Sequence, residues 1–221
     1  MKANDGRSAK VSSVRAYHFL PSHHALDDLR HRRLKIARLD ELNDPFELWA
    51  MTQPDPRLRR GFRNYKSEMA QSYGLLCFSL SWHNPLLWSH YAEKHHGMAL
   101  GFDVSSDVLT EVAYVKRRPA PKQINLEVAR SLLYTKYIDW KYEQEARVFT
   151  RLEERDESGL YFADFSDQIV LREVIVGPLS RVTKQNLREA LRVTTNVTFI
   201  KGRLAFNSFR IVADHSGFRA K

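Results

Sequence analysis

The sequence predicts an α+β fold, a single domain on a mixed, mostly antiparallel, split sheet with flanking helices. Three observations point there. Short apolar and β-branched runs recur along the chain, of the length of strands rather than long helices. Helical patterns separate only some of them, so no regular βαβ alternation emerges. The 221 residues suffice for one sizeable core. Residues 1–13 read as a flexible N-terminal arm, because "MKANDGRSAK" is polar. Residues 14–215 form the domain, with a basic helical insertion at about 53–73.

The elements follow in order. "VRAYHFL" (14–20) is rich in β-formers and partly alternating, as a first strand would be. Pro21 ends it, and Ser22 caps a helix in which Leu26 and Leu29 sit at helical spacing. "LKIARL" (34–39) alternates apolar and basic residues, so it reads as a half-exposed strand, and "NDPFE" (43–47) as a turn. After the insertion, "GLLCFSLS" (74–81) reads as a buried strand. Asn84 caps and Pro85 opens a helix that Gly97 ends, which places Trp88, Tyr91 and His95 on one face. "MALGFDV" (98–104) and "EVAYV" (111–115) are strands, 122–137 a helix, "EARVFTRL" (145–152) and "LREVIVGP" (171–178) strands. A helix over 183–193 and the strands "VTFIKGRLAF" and "FRIVAD" close the chain.

Composition narrows the function classes. No apolar run approaches the roughly 20 residues that cross a bilayer, and the polar start lacks a secretory core, so a cytoplasmic protein with no membrane partner is expected. Cys77 is the only cysteine, so it forms no internal disulfide, and its apolar context suits a small buried hydrophobe. The net charge of +9 favours polyanions, nucleic acid among them, or serves solubility alone. The densest basic stretches are 30–38, 57–66 and 116–119. Arg57, Arg59, Arg60, Arg63 and Lys66 are the candidate nucleic-acid contacts, interleaved with Phe62 and Tyr65 that could stack on bases or anchor a solvated helix. There is no Gly-rich phosphate loop and no dinucleotide fingerprint. His90, His95 and His96 lack a metal-ligand spacing, so no metal is expected.

Polar groups interrupt apolar segments in three places: Tyr17 and His18 in the first strand, Ser79 and Ser81 before the helix that carries Tyr91, and Glu143 and Glu145 near a late strand. In a strand, residues two apart share a face, so Glu143, Glu145 and Arg147 would point the same way. Two adjacent carboxylates repel, so they either form a site or are neutralised by Arg147 on a salt-bridged edge strand.

These residues also carry a resemblance. "YHFL", "LKIARLDELNDPFE", "CFSLSWHNPLLWSHYAEKHHGMALGFD" and "YTKYIDWKYEQEARVF" resemble the bacterial family called domain of unknown function 2971, over roughly residues 14–180. More distantly, the order of blocks is similar to ADP-ribosyltransferases. That likeness implies an ADP-ribosyltransferase-like fold and NAD as substrate. His18 would bind a ribose, with Tyr17 beside it; Ser79, Ser81 and Tyr91 would line the nicotinamide pocket. Glu145 would be the catalytic carboxylate and Glu143 its helper. The implied protein is a toxin or phage-defence effector modifying nucleic acid or protein, with an antitoxin as a candidate partner. Two other readings stand beside it. One is a non-catalytic basic nucleic-acid-binding module on the same scaffold. The other is a metal-independent nuclease using His90 and Glu145.

Overall fold

The computed structural model describes residues 12–47, 52, 55–120, 126–192 and 196–218. Most of the expected arm therefore lies outside the described residues, as do the first residues of the helix expected from 122. Along the chain run β1 (Ser13–Leu20), α1 (Ser22–His31), β2 (Arg33–Lys35), β3 (Ala37–Arg38), α2 (Pro56–Ser72), β4 (Tyr73–Ser79) and α3 (Pro85–Tyr91). Then come β5 (Met98–Ser105), β6 (Leu109–Glu111), β7 (Ala113–Val115), α4 (Leu126–Leu132), β8 (Thr135–Tyr137), a 3₁₀ turn (Ile138–Glu143) and β9 (Glu145–Arg151). β10 (Phe162–Asp164), β11 (Ile169–Val176), α5 (Lys184–Leu191), β12 (Thr198–Leu204) and β13 (Ile211–Ala213) complete it. The fold is mixed α+β with a curled, mostly antiparallel sheet and a few helices. Among the described residues no helix is long and apolar enough to cross a membrane.

Among the described residues the main sheet has nine strands. Eight follow the order β13-β12-β11-β5-β1-β4-β9-β6, β3 adds to β4, and only β11 and β12 run parallel. Its centre is uneven. β1 pairs with β5 along its whole length, from Ser13↔Ser105 to Leu20↔Met98. With β4 it makes a single pair, Tyr17↔Ser79, while β4 pairs fully with β9. The sheet therefore parts between β1 and β4.

Alternation along β5 explains the two main cores. Met98, Leu100, Phe102 and Val104 face a cluster with Ala25 and Leu29 of α1 and Leu187 and Leu191 of α5. Ala99 faces the other side, with Trp82, Trp88, Ile175 and Ile211. Each large apolar side chain buried this way contributes about 1.5–3 kcal/mol. A third cluster of Leu39, Ala70, Leu75 and Leu133 ties α2 to β4. Gly101 sits where a side chain would crowd Tyr17 and Glu173: an added Cβ would come within 3.0 Å of the Tyr17 ring.

Several expected elements differ. The helix from Asn84 stops at Tyr91 rather than Gly97, because Glu93, Lys94 and His95 all turn left-handed (φ 49°, 51° and 73°). His95 is thus off the helix and not on one face with Trp88 and Tyr91. The helix expected over 122–137 is described only as Leu126–Leu132. Thr135 Oγ1 closes it by donating to Ser131 O (2.7 Å), and β-branched and aromatic residues carry the chain into β8. "EVAYV" is not one strand: the chain switches partners at buried Val112, from β9 to β8. "LKIARL" likewise divides at Ile36, whose N–H donates to Tyr161 O (2.9 Å). β10 has no counterpart among the strands expected from the sequence.

Candidate functional site

Where β1 and β4 part, backbone groups lose their ladder partners. The His18 ring spans the gap, its Nδ1–H donating to Cys77 O (2.8 Å). That bond fixes the tautomer and leaves Nε2 as an acceptor. Burial lowers the His18 pKa against the pull of this bond, so the ring is neutral at pH 7. A cavity of about 240 Å³ opens in the split. Its walls include Tyr17 and His18 from β1, Ser79 from β4, Tyr91 from α3, and Lys136, Glu143 and Glu145. Asn43 and Glu47 of the "NDPFE" turn close another side.

Behind the cavity lies a buried charge cluster. Lys136 Nζ is 2.7 Å from Glu143 Oε2, 3.1 Å from Glu145 Oε2 and 3.2 Å from Glu47 Oε1. Arg147 grips both Glu145 oxygens, at 2.7 and 2.8 Å, and donates to Leu133 O. It also approaches Glu47 Oε2 at 2.6 Å, as a charge contact off the line of a hydrogen bond. None of these five side chains is more than 8% exposed. Three carboxylates face two cations, so the cluster is net negative when all are ionised.

The two central glutamates are not equivalent. Burial pushes the Glu143 carboxyl up, against the opposing pull of Lys136 and Tyr91. Burial would raise Glu145 too, but Arg147 and Lys136 outweigh it and hold that carboxyl below the usual range. Lys136 is held protonated: burial would lower it, and Glu145, Glu47 and Glu143 more than compensate. Burial and Glu143 push the Tyr91 hydroxyl well up, so it is a donor. It donates to Glu143 Oε1 (2.5 Å) and accepts from Asn43 Nδ2 (2.6 Å). Burial also pushes the Cys77 thiol well up, so it is no thiolate nucleophile.

The expected site residues divide on this geometry. His18, Ser79, Tyr91, Glu143 and Glu145 border one cavity. Ser79 does so as a brace: its hydroxyl donates to Glu143 O (2.6 Å) and ties β4 to the 3₁₀ turn. Tyr17 reaches the rim, but its hydroxyl donates to Glu173 Oε2 (3.2 Å). Ser81 does not line the cavity; its hydroxyl accepts from His83 N (3.3 Å) in the approach to α3. His90 is exposed, rests near Tyr142 and does not line the cavity that Glu145 borders. Trp88 is core, its indole donating to Trp82 O (2.6 Å).

Glu143 and Glu145 converge, but not by strand alternation. Glu143 ends the 3₁₀ turn, and left-handed Gln144 (φ 45°) swings the chain so that both carboxylates meet Lys136. Nor is β9 an edge strand: it lies between β4 and β6, and Glu145 is 7% exposed. Glu47 and Lys136 were not expected. The signal for Glu47 was the polar "NDPFE" turn itself, whereas Lys136 was hidden in a segment read as helix. Arg57, Arg59, Arg60 and Arg63 are exposed on α2 and Lys66 is half-buried, all outside the cavity. Among the described residues no group of three or more His, Cys, Asp or Glu is arranged to hold a metal ion.

No protein-family model, curated protein or solved structure matches the chain.

Proposed function

We propose that the chain is an ADP-ribosyltransferase-like enzyme that takes NAD as substrate, related to the domain of unknown function 2971 family. The observation that carries this reading is the meeting of His18, Tyr91, Glu143 and Glu145 around one cavity in a split sheet. At about 240 Å³ the cavity is smaller than the roughly 300–1,000 Å³ of drug-sized ligand sites. It suits one ring and its sugar, with the rest of a dinucleotide lying outside.

The residues suit the roles. His18 Nε2 accepts from a ribose hydroxyl, because Nδ1 is already committed to Cys77 O. The Tyr91 ring offers a stacking face, oriented by Asn43 and Glu143. With Glu143 ionised, the cluster is net negative and favours a cationic ring and the positive charge that develops as the glycosidic bond breaks. Glu145, fixed by Arg147 and Lys136, is the permanent charge. Glu143, made more basic by burial, is when ionised the proton acceptor for an incoming nucleophile. A cytoplasmic toxin or phage-defence effector is the setting that fits this chemistry. The test is incubation with labelled NAD and DNA, RNA or protein. Label transferred to an acceptor, or NAD consumed, supports the reading; intact NAD with every acceptor sinks it.

A second reading, a basic nucleic-acid-binding module without catalysis, draws on the exposed arginines of α2. It predicts strand binding with no NAD consumption.

A further inference from the structure

A second cavity, of about 290 Å³, shares Lys136 with the first. Asp44 and Phe46, Val115 to Arg118, and Thr135 to Tyr137 line it. Lys116, Arg117 and Arg118 are exposed, and among the described residues none of them forms an ion pair. Asp44 is the lining carboxylate, but it is buried and its Oδ1 accepts from Phe46 N (2.9 Å). Lys136 turns its ammonium to the three glutamates. The cavity is therefore positive at its mouth.

It is also aromatic. Phe46 is 53% exposed and Tyr137 47%, among the large apolar side chains left in water. The Arg118 guanidinium lies 4.5 Å from the Phe46 ring centroid, within cation–π range. The basic run is held in place by its backbone, since Thr52 N donates to Pro119 O (2.9 Å) and Thr52 Oγ1 to Arg118 O (3.2 Å). With Asp44 buried and Asp139 hydrogen-bonded to Tyr137, the three exposed cations outnumber the carboxylates at the mouth and would suit any polyanion. Exposed flat rings beside them suit one with bases to stack, which an acidic peptide lacks.

We propose that this cavity seats a nucleotide of a single-stranded nucleic acid, phosphate on Lys116, Arg117 and Arg118 and base against Phe46 and Tyr137. Binding here stands without catalysis. Through Lys136 it would also bring a strand beside the glutamate cluster, and as an acceptor seat it rests on the transferase reading.

The experiment is fluorescence anisotropy with a labelled single strand of about ten nucleotides, a length within the usual range of single-strand sites, and no NAD present. Phe46→Ala and Tyr137→Ala should each weaken binding roughly 5- to 150-fold, the range that removal of one stacking ring spans. The triple change Lys116→Ala, Arg117→Ala, Arg118→Ala should lower the log–log salt slope by about 0.7 for each phosphate that is no longer neutralised. These side chains are exposed, so melting temperatures should not move. Unchanged affinity in the cavity variants, with weakening confined to Arg57→Ala, Arg59→Ala, Arg60→Ala, would move the site to α2 and overturn the proposal. Polyglutamate competing as well as unlabelled strand would overturn the base contact, and a mononucleotide competing as well would overturn the strand. A wild type that binds strand here but leaves NAD intact in the separate incubation with labelled NAD would sink the transferase reading alone.

Discussion

Two clusters of similar chemistry sit on this sheet. In one, Arg15 bridges Asp103 (2.8 Å) and Glu173 (2.6 Å), Arg172 joins Asp103 (2.8 Å), and Tyr17 donates to Glu173. In the other, Lys136 and Arg147 hold Glu47, Glu143 and Glu145, and Tyr91 donates to Glu143. The distances within the two overlap. Solvent does not: side chains of the first cluster are 22–42% exposed, those of the second 8% or less, Tyr91 aside. Burial and Glu173 push Tyr17 up to about 12, and the Tyr91 hydroxyl is driven further. Distance alone does not fix what a charge pair does; desolvation sets its energy and its titration. Burying five charges is also an inefficient way to stabilise a fold, since apolar replacements of whole buried ion pairs are often neutral or stabilising. That inefficiency is a reason to look for chemistry at the second cluster.

The largest contrast should come from removing one cation from each. Arg147→Met leaves Glu145 and Glu47 buried with Lys136 as their remaining partner. Breaking a buried pair in this way costs about 3–5 kcal/mol of unfolding free energy. Urea unfolding measures it. A cost below about 1 kcal/mol, the range of exposed pairs, would show that water reaches the cluster and that the two clusters are energetically alike.

Next in size is the effect on the proposed turnover. Glu145→Gln keeps the shape and removes the charge, so NAD consumption should fall about a hundred- to a thousandfold. Glu143→Gln should slow transfer to an acceptor more than cleavage of NAD by water, because a proton acceptor serves the acceptor. Full NAD turnover in Glu145→Gln protein would refute the catalytic role whatever its melting curve.

The pH dependence separates the same two glutamates by sign. Glu143 is raised in the folded state, so the folded chain holds the extra proton. Its contribution is present below the ordinary carboxylate value and is lost as pH rises through the raised one. Glu145 is depressed, so its contribution is present above the ordinary value and lost as pH falls through the lowered one. Unfolding free energies measured below and above the ordinary carboxylate value of about 4.3 read the two slopes. Relative to wild type, Glu143→Gln should gain stability with rising pH and Glu145→Gln should lose it. Trends of the same sign would mean that Arg147 does not discriminate between them.

Much of this was legible in the sequence and some was not, for identifiable reasons. β1, β4, β5 and β9 were readable because they are rich in apolar and β-forming residues and because Pro21, Asn84 and Gly97 punctuate the chain. The cap at Asn84 was readable too, and its side chain accepts from Leu86 N (3.0 Å). The end of that helix was not, because three successive left-handed non-glycine residues have no local signature. Glu143 and Glu145 were legible as a pair from their spacing, though the turn at Gln144 rather than strand alternation brings them together. Lys136 was not. A lysine between Thr135 and Tyr137 looks like a surface residue until Glu47, nearly ninety positions earlier, is folded against it. Single-sequence patterns report periodicity; they do not report which distant carboxylate a cation will meet.

The smallest effect belongs to the exposed cluster and tests the comparison from its other side. Arg15→Met removes the bridge between Asp103 and Glu173, but both carboxylates remain wetted, and Arg172 still holds Asp103. Exposed pairs typically contribute about 0.2–1 kcal/mol, and salt screens them. The unfolding free energy should therefore drop by less than about 1 kcal/mol, and the difference from wild type should shrink further at 1 M salt, where the screening length is about 3 Å. Arg147→Met should keep most of its cost at the same ionic strength, because side chains 8% exposed or less are screened far less than wetted ones. Equal salt sensitivity in the two variants would mean the clusters share one dielectric environment. The difference in exposure would then carry no energetic weight.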